Sequence, residues 1–461
     1  MEMVDFLEIC QRALSGPIMT ETDFDMNVFL PKLGQVIQEY DIRYDPSTPV
    51  PSDDELADRV FGAAVEFFSE VGVYCQDTNR VIRLSRDEIQ EGITEPSPPC
   101  RVGEGKEAKI FSSRRPEDGN LPWCHVGSGI VASSEEIMTN LVAAYGAIPE
   151  ADSISISALD NVRGIPVPAG SPLEIYAAIR SVRLGREALR RCGRPGLPIM
   201  NLISSAASAV GTIAASNLSF GLRPSDGWLV GAISEMKIDF GGLNKVAYLL
   251  NWGANIGSES GPILGGYCGG PEGTAVVNTA YVIMGKLVLK GNYQLTFPIH
   301  FTYGCSSTRD VLWAVCVSSQ AISRNIHYPV ISLGYMAAGP ATKMYFYETA
   351  AYLLAAVSSG VSIQMTHPAK AVVVDGVTPM EATFNVEMAH AAAKMTRTEA
   401  NQIVNALLER YEGGIGKAPR GNTYQECFDI KSRKPNPDYV TLVGEINEEL
   451  KGMGIPIDSW G

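Results

Sequence analysis

The chain has few basic residues and few charged residues of any kind. Of its 461 residues, 37 are Lys or Arg and 51 are Asp or Glu, which gives a formal net charge of −14. This balance argues against nucleic acid as the main partner, because phosphate binding requires clusters of basic side chains. With 45% hydrophobic and 19% charged residues, the sequence predicts a large buried core rather than a disordered chain.

Motifs for metal and dinucleotide binding are also missing. The nine cysteines form no C-x-x-C pair, and the five histidines show no H-x-x-x-H spacing. These absences argue against a zinc or iron–sulfur site, and we expect the cysteines to be reduced core residues. No G-x-G-x-x-G follows a predicted strand, which argues against a dinucleotide-binding fold.

The sequence shows no secretion signal and no hydrophobic run long enough to span a membrane. The first sixteen residues, MEMVDFLEICQRALSG, have early acids and apolar residues at helical spacing, which predicts an amphipathic helix. The most apolar stretches, such as YLLAAVSSGVSIQM, are interrupted by Gly and Ser. We therefore expect a soluble, cytoplasmic protein.

Beyond about residue 150, short apolar strands alternate with long helices. Strands are predicted at 153–159, 199–203, 246–253, 295–302, 329–335 and 361–365, with two less distinct ones at 228–233 and 371–374. Helices are predicted between them, including 171–193, 273–290, 308–326 and 342–359. This alternation indicates a parallel sheet with helices outside it. Eight strands in about 270 residues predict a (β/α)8 TIM barrel, with an open doubly wound sheet as the alternative.

The first part of the chain has a different pattern. Residues 1–130 contain helical patterns, a hairpin candidate at 71–84 and Pro-rich loops. We predict that they form a mostly helical N-terminal extension, and that residues 131–461 form the barrel with C-terminal helices.

In such a barrel, ligands bind at the C-terminal ends of the strands. Residues at predicted strand ends are therefore candidates: Met200, Asn201, Trp252, Glu259, Tyr303, Tyr335 and residues 364–367. The Glu259 carboxylate could be a general base, a metal ligand, a counter-ion for a cation or a solvated loop acid. Tyr335, Tyr303 and Trp252 could present aromatic faces to a cation beside it, or could simply pack under the loops.

Five separated blocks of the sequence occur in the same order as in a known family. They are VGVYCQDTNRVIRLSRDEI, SPLEIYAAIRSVRLGREALRRCGRPG, SEMKIDF, PILGGYCGG and GNTYQECFDIK. Together they resemble the monomethylamine methyltransferase family. The resemblance implies a (β/α)8 barrel, a homo-oligomer (a hexamer in the archetype) and methyl transfer to a cobalt corrinoid on a separate small protein. The chain lacks D-x-H-x-x-G, a motif of many corrinoid proteins, so we do not expect it to carry this cofactor permanently.

The resemblance also points to site residues. In the family, the segment similar to GRPGLPIM ends in pyrrolysine, whose electrophilic imine takes up the amine. Matching GRPG assigns Met200 to this position, or Asn201 if a gap falls earlier. Neither residue can form the adduct, so the chain resembles a member of the family that works without pyrrolysine.

Four further pocket positions can be carried over in the same way. A glutamate and a tyrosine of the family pocket match Glu259 and Tyr335, whereas a second glutamate and a glutamine are replaced by Leu229 and Leu333. The pocket has therefore lost its electrophile together with two polar partners. We interpret this combined loss as a change of substrate.

The resemblance implies a corrinoid-dependent methyltransferase, and the substitutions predict that it acts on a quaternary or otherwise cationic N-methyl compound and not on monomethylamine. A permanently cationic nitrogen leaves as a neutral amine and needs no adduct. Two alternatives stay open. The donor could be a tertiary amine or a non-nitrogen compound, or the chain could be a catalytically silent relative with a ligand-binding or regulatory role.

Overall fold

The computed structural model describes residues 4–200, 207–368 and 373–457, and within them eight parallel strands close into a barrel. The strands are β1 (Cys124–Val126), β2 (Ser153–Ile154), β3 (199–200), β4 (Gly227–Gly231), β5 (Asn255–Ser260), β6 (Tyr293–Thr296), β7 (Val330–Ser332) and β8 (Ser362–Gln364). Ile363 of β8 pairs with Cys124 of β1, and the two bridges of β3 join β2 to β4. The predicted (β/α)8 barrel is therefore confirmed, and the open sheet is wrong.

A helix follows each of these strands, as the alternation predicts. The helices are α1 (Glu135–Ala147), α2 (Pro172–Arg191), α3 (Ala209–Ala215), α4 (Phe240–Trp252), α5 (Pro271–Leu287), α6 (Arg309–Asn325), α7 (Lys343–Ser358) and α8 (Pro379–Ala392). Two further helices, Arg397–Tyr411 and Pro437–Gly452, pack against α7. No helix in the described ranges is long and apolar enough to cross a membrane.

Two of the eight predicted strands are placed differently. Residues 246–253 lie in α4: the Asp239 side chain caps its first turn by accepting a hydrogen bond from the Gly242 backbone N–H, and the chain leaves the helix at Gly253 with φ at +69°. The apolar run in this segment is thus the buried face of a helix, and the strand begins at Asn255.

The other misplaced strand is the one predicted at 371–374. Residues 371 and 372 lie outside the described residues, and Val373 and Val374 belong to a bend and a turn. The remaining barrel strand is Cys124–Val126, which follows a Pro-rich loop and is only 3 residues long. Three residues are too few to show a periodic pattern in the sequence.

The N-terminal extension contains four longer helices, Phe6–Ser15, Leu30–Glu39, Asp54–Val71 and Arg86–Thr94. Its predicted hairpin is present, with strands Val73–Cys75 and Arg80–Ile82, and residues 237–238 of the barrel half pair with it in parallel. The division at residue 131 stays a prediction; β1 lies just before it.

A second hairpin of the N-terminal extension closes one end of the barrel. Its strands are Cys100–Val102 and Lys109–Phe111. The ring of Phe111 lies 5.1 Å from the Trp123 ring and 5.9 Å from the Tyr293 ring, measured between centroids. Because Trp123 precedes β1 and Tyr293 begins β6, these contacts close the N-terminal end of the barrel. The entrance to the barrel is therefore at the C-terminal ends of its strands.

Candidate active site

The barrel interior is largely apolar from its closed N-terminal end, where Met200 pairs with Gly227 at the start of β4, to the ends of the strands. One buried cluster combines Met200 of β3, Leu229 of β4, Leu295 of β6, and Ile331 and Leu333 at β7. All five side chains are at most 5% exposed. Of the predicted site residues, Met200, Leu229 and Leu333 therefore come together as neighbours on the inner wall.

Glu259 adds the carboxylate to this wall. It lies near the C-terminal end of β5, paired with Gly231 of β4 and Leu295 of β6. Gly231 has no side chain, and a Cβ placed on its backbone would lie 3.9 Å from Glu259 Oε2. No described residue forms a hydrogen bond or ion pair with this carboxylate, although the side chain stays partly accessible from the mouth.

The apolar surroundings affect the ionisation of Glu259. Burial raises the pKa of its carboxyl group to about 7, and the positive charge of Lys245 opposes this shift. Lys245, on α4, is 8% exposed and has no hydrogen-bond or ion-pair partner among the described residues. The site thus contains a carboxylate without a bonded partner that can change its charge near neutral pH.

Tyr335 lies at the mouth, beyond the end of β7. Its ring packs edge to face against Phe297, with 5.8 Å between centroids, and against His367, with 5.7 Å. Burial raises the pKa of its hydroxyl group, and the negative charge of Glu259 adds to the shift. Tyr335 therefore lies close enough to Glu259 for the two groups to interact electrostatically, and their shared role in a site stays a prediction.

The other predicted site residues lie elsewhere. The side chain of Tyr303 is 46% exposed on the loop after β6 and packs against His300, with ring centroids 4.7 Å apart. Trp252 ends α4 and stacks on Tyr248 near the opposite end of the barrel, so its predicted place at a strand end is wrong. Asn201 lies outside the described residues.

Two polar groups of the inner wall have little or no signal in the sequence. His125 lies on β1, a strand that the sequence does not predict, and Gln364 ends β8 within the candidate range 364–367. Within the described ranges no group of three or more His, Cys, Asp or Glu side chains is arranged to hold a metal ion, so Glu259 has no co-ligands there.

Comparison with known proteins identifies the family. The family model described as "Monomethylamine methyltransferase MtmB" matches residues 4–455. The chain is 32% identical over 460 residues to monomethylamine methyltransferase MtmB of Methanosarcina mazei, with 98% of each chain covered. It is 31% identical over 462 residues to MtmB2 of Methanosarcina acetivorans, again with 98% of each chain covered.

Solved structures agree with this result. The crystal structure of MtmB from Methanosarcina barkeri superimposes with a TM-score of 0.94 at 30% identity, over 98% of this chain and 99% of that one. A crystal structure of the hydroxylamine complex of MtmB gives the same values. A match of sequence and fold over nearly the whole length shows that the chain belongs to the monomethylamine methyltransferase (MtmB) family of methyltransferases.

Proposed function

We propose that this chain transfers a methyl group from a cationic N-methyl compound other than monomethylamine to the Co(I) corrinoid of a separate protein. One observation supports the cationic donor most directly: the Glu259 carboxylate lies on β5 between Gly231 and Leu295 with no hydrogen-bond or ion-pair partner among the described residues, and Lys245 is the one cation among them whose charge acts on it. A negative charge without a bonded partner in apolar surroundings attracts a cation, and aromatic rings such as Tyr335 add to that attraction.

The leaving group explains why a cationic donor suits this pocket. In the transfer, the bond between nitrogen and the methyl carbon breaks, its electron pair stays on nitrogen, and Co(I) supplies the pair of the new bond to carbon. A neutral amine would leave as an amide anion, which is prohibitively basic. A quaternary nitrogen leaves as a neutral amine, so it needs no electrophilic residue at the position of Met200.

Each pocket residue has a role in this scheme. The carboxylate of Glu259 binds the cation, the rings of Tyr335 and Phe297 flank it, and Leu229 and Leu333 exclude water. Water exclusion strengthens the attraction between the two charges, because the effective dielectric constant falls. Methyl transfer then removes the positive charge from the nitrogen. The attraction to Glu259 is weakened, which favours release of the neutral amine.

The partner is inferred from the shape of the barrel. The hairpin containing Phe111 closes the N-terminal end, so the methyl acceptor has to approach the C-terminal mouth. We infer that the corrinoid protein docks there and that this chain holds no corrinoid permanently. By family resemblance we also propose a cytoplasmic homo-oligomer, with a hexamer as the expected state.

The direct test is a methyl-transfer assay. Purified protein is mixed with a reduced corrinoid protein and with monomethylamine, tertiary amines, quaternary amines or sulfonium compounds, and corrinoid methylation is followed by visible absorption. We expect methylation with a cationic donor and none with monomethylamine. If no donor methylates a corrinoid protein that is active with another methyltransferase, the result would favour the silent binding protein instead.

The pKa of Glu259 predicts how cation binding depends on pH. With the pKa at about 7 in the free site, binding of a quaternary cation has to displace a proton below that pH. We expect the affinity to fall by about tenfold per pH unit below pH 7 and to level off above it. Calorimetric titration between pH 5.5 and 8.5 measures this slope.

A quaternary cation has no proton of its own to lose, so any slope belongs to the protein. Burial lowers the pKa of His367 to about 4, outside the range of the titration. The Glu259→Gln variant should therefore bind weakly and lose the slope that belongs to Glu259, whereas Glu235 and Glu348, whose pKa burial also raises to about 7, are unchanged in it. An affinity of the wild-type protein that stays constant from pH 6 to 8 would contradict the role of Glu259 as counter-ion.

A further inference from the structure

A row of three polar side chains runs across the inner wall of the barrel opposite β5. Gln364 of β8 pairs with His125 of β1, which in turn pairs with Ser153 of β2. Paired residues of parallel strands point to the same face of the sheet. The same face carries Trp123, which packs against Phe111 and Tyr293 in the interior, so all three polar side chains point into the barrel.

Two atoms of this row have no hydrogen-bond partner among residues 4–200, 207–368 and 373–457. They are His125 Nε2 and Gln364 Oε1, and both are closed off from solvent. The side chains of His125 and Gln364 are 0% and 4% exposed, respectively. Leaving a buried polar atom unpaired costs stability, and two unpaired atoms on directly neighbouring residues are unusual in a folded protein.

The hydrogen bonds of Ser153 show which type of group His125 presents. Trp123 Nε1 donates to Ser153 Oγ at 2.8 Å, and an indole nitrogen can only donate. The Ser153 hydroxyl lies 2.8 Å from His125 Nδ1, and it has no other acceptor among the described residues. The hydroxyl therefore donates to Nδ1, and the proton of the neutral ring sits on Nε2.

The row thus presents an N–H donor at His125 beside a carbonyl acceptor at Gln364. Burial lowers the pKa of His125 to about 3, so the ring stays neutral at physiological pH. A neutral donor beside a neutral acceptor matches a hydroxyl group, which accepts one hydrogen bond and donates another. A carboxylate could accept a hydrogen bond from His125 Nε2. It has no proton to donate to Gln364 Oε1, so that atom would stay unpaired.

This row is connected to the cation pocket. His367 Nε2 lies 3.4 Å from the carbonyl oxygen of Gly127, two residues after His125, and the His367 ring packs against Tyr335 with 5.7 Å between centroids. His367 therefore links the segment just after His125 to Tyr335.

We propose that His125 and Gln364 form a second subsite, which binds a hydroxyl group of the methyl donor. The donor would then be a hydroxyalkyl N-methyl cation, with its charged end at Glu259 and its hydroxyl end between His125 Nε2 and Gln364 Oε1. This inference rests on the proposed function, since it assumes that a cation occupies the pocket.

The test compares three trimethylammonium probes by calorimetric titration of the full-length protein. Choline has the hydroxyl group, propyltrimethylammonium replaces it by a methyl group, and glycine betaine has a carboxylate in place of the hydroxymethyl group of choline. We expect choline to bind about ten- to a hundredfold more tightly than the propyl compound, because that compound leaves both protein atoms unpaired. We expect glycine betaine to bind more weakly than choline.

A pair of variants separates the subsite from general packing. Gln364→Met removes the acceptor at similar volume and should reduce the preference for choline by about tenfold. Gln294→Met is the matched control, because Gln294 lies on β6 with its amide donating to Ser260 Oγ at 2.9 Å on the outer face. It should leave the preference unchanged.

The outcomes distinguish this inference from the proposed function. If no probe binds the wild-type protein, the proposed cation pocket is contradicted, and the proposed hydroxyl subsite is contradicted as well. If choline and the propyl compound bind with equal affinity, the result supports the cation pocket but contradicts the hydroxyl subsite. His125 Nε2 and Gln364 Oε1 would then be hydrogen-bonded to water only. A choline preference that survives Gln364→Met, or a preference for glycine betaine, would also overturn the hydroxyl subsite.

Discussion

The Glu259→Gln variant should lose about 100-fold or more in kcat/KM for a cationic N-methyl donor, mainly through a higher KM. Removing one partner of a buried charge pair costs about 2–5 kcal/mol, and about 2.8 kcal/mol corresponds to about 100-fold. Gln keeps the shape of the side chain and removes only the charge. Steady-state kinetics with the corrinoid protein present measures both constants.

The Glu259→Gln substitution should raise KM and not lower kcat, because the donor nitrogen loses its positive charge during the reaction. The donor nitrogen carries its full positive charge when bound and loses it as the methyl group leaves. Glu259 therefore stabilises the bound donor at least as much as the transition state, and its removal leaves kcat unchanged or slightly higher. A fall in kcat with an unchanged KM would contradict this role and would indicate acid–base catalysis.

Glu381→Gln provides a matched control. Glu381 is a second carboxyl group whose pKa burial raises, but it lies on α8, where it accepts hydrogen bonds from Thr378 and the Ala341 backbone. Its conversion to Gln removes a buried charge away from the pocket. We expect kcat/KM to stay within about twofold of the wild-type value.

The Asp226→Ala variant should lose about 3–5 kcal/mol of unfolding free energy. Asp226 and Arg186 form an ion pair in which both side chains are only 2% exposed. Removing the carboxylate leaves the Arg186 guanidinium buried without its counter-charge, which is among the most costly single changes in a protein. Urea denaturation followed by circular dichroism measures the loss.

Asp226 also fixes the backbone around the third barrel strand. Its Oδ1 atom accepts a hydrogen bond from the Ile199 backbone N–H at 2.8 Å, and Oδ2 accepts one from the Arg223 N–H at 2.6 Å. Since Ile199 directly precedes Met200, the variant should also weaken cation binding. The apolar pair Arg186→Met with Asp226→Leu should recover part of the stability but not these two hydrogen bonds.

An exposed ion pair serves as the comparison. Arg180 and Glu135 join α2 to α1 at 2.5 Å, but their side chains are 48% and 49% exposed. Water and salt screen such a pair, so Glu135→Ala should cost at most about 1 kcal/mol. If Asp226→Ala and Glu135→Ala lower the unfolding free energy by the same amount, the burial of Asp226 does not increase the contribution of its ion pair to stability.

The pocket residues that could be predicted from the sequence share two properties. Met200, Leu229 and Leu333 stand in or at the end of clearly apolar strands, and they occupy positions that the family resemblance marks. Glu259 and Tyr335 follow from the same resemblance, although the strand before Glu259 is predicted too early in the chain. The structure places these residues in the barrel interior or at its mouth, and their role in binding stays a prediction.

Trp252 and His125 show where prediction from the sequence fails. The hydrophobic pattern of the segment around Trp252 fits a helix and a strand equally well. Only the N-cap at Asp239 and the left-handed turn at Gly253 favour the helix. His125 sits in a strand of 3 residues that exists because distant strands pair with it on both sides. A strand stabilised by long-range pairing has almost no local signal.

Residue type and spacing are local properties, and they are enough to predict the alternation of strands and helices, while the family resemblance marks the apolar replacements at Leu229 and Leu333. Three other features appear only in the folded chain: β1 closes the barrel, burial raises the pKa of Glu259 to about 7, and His125 and Gln364 stand side by side with unpaired atoms. Burial, dielectric surroundings and hydrogen-bond satisfaction depend on residues far apart in the chain, so they exist only once the chain has folded.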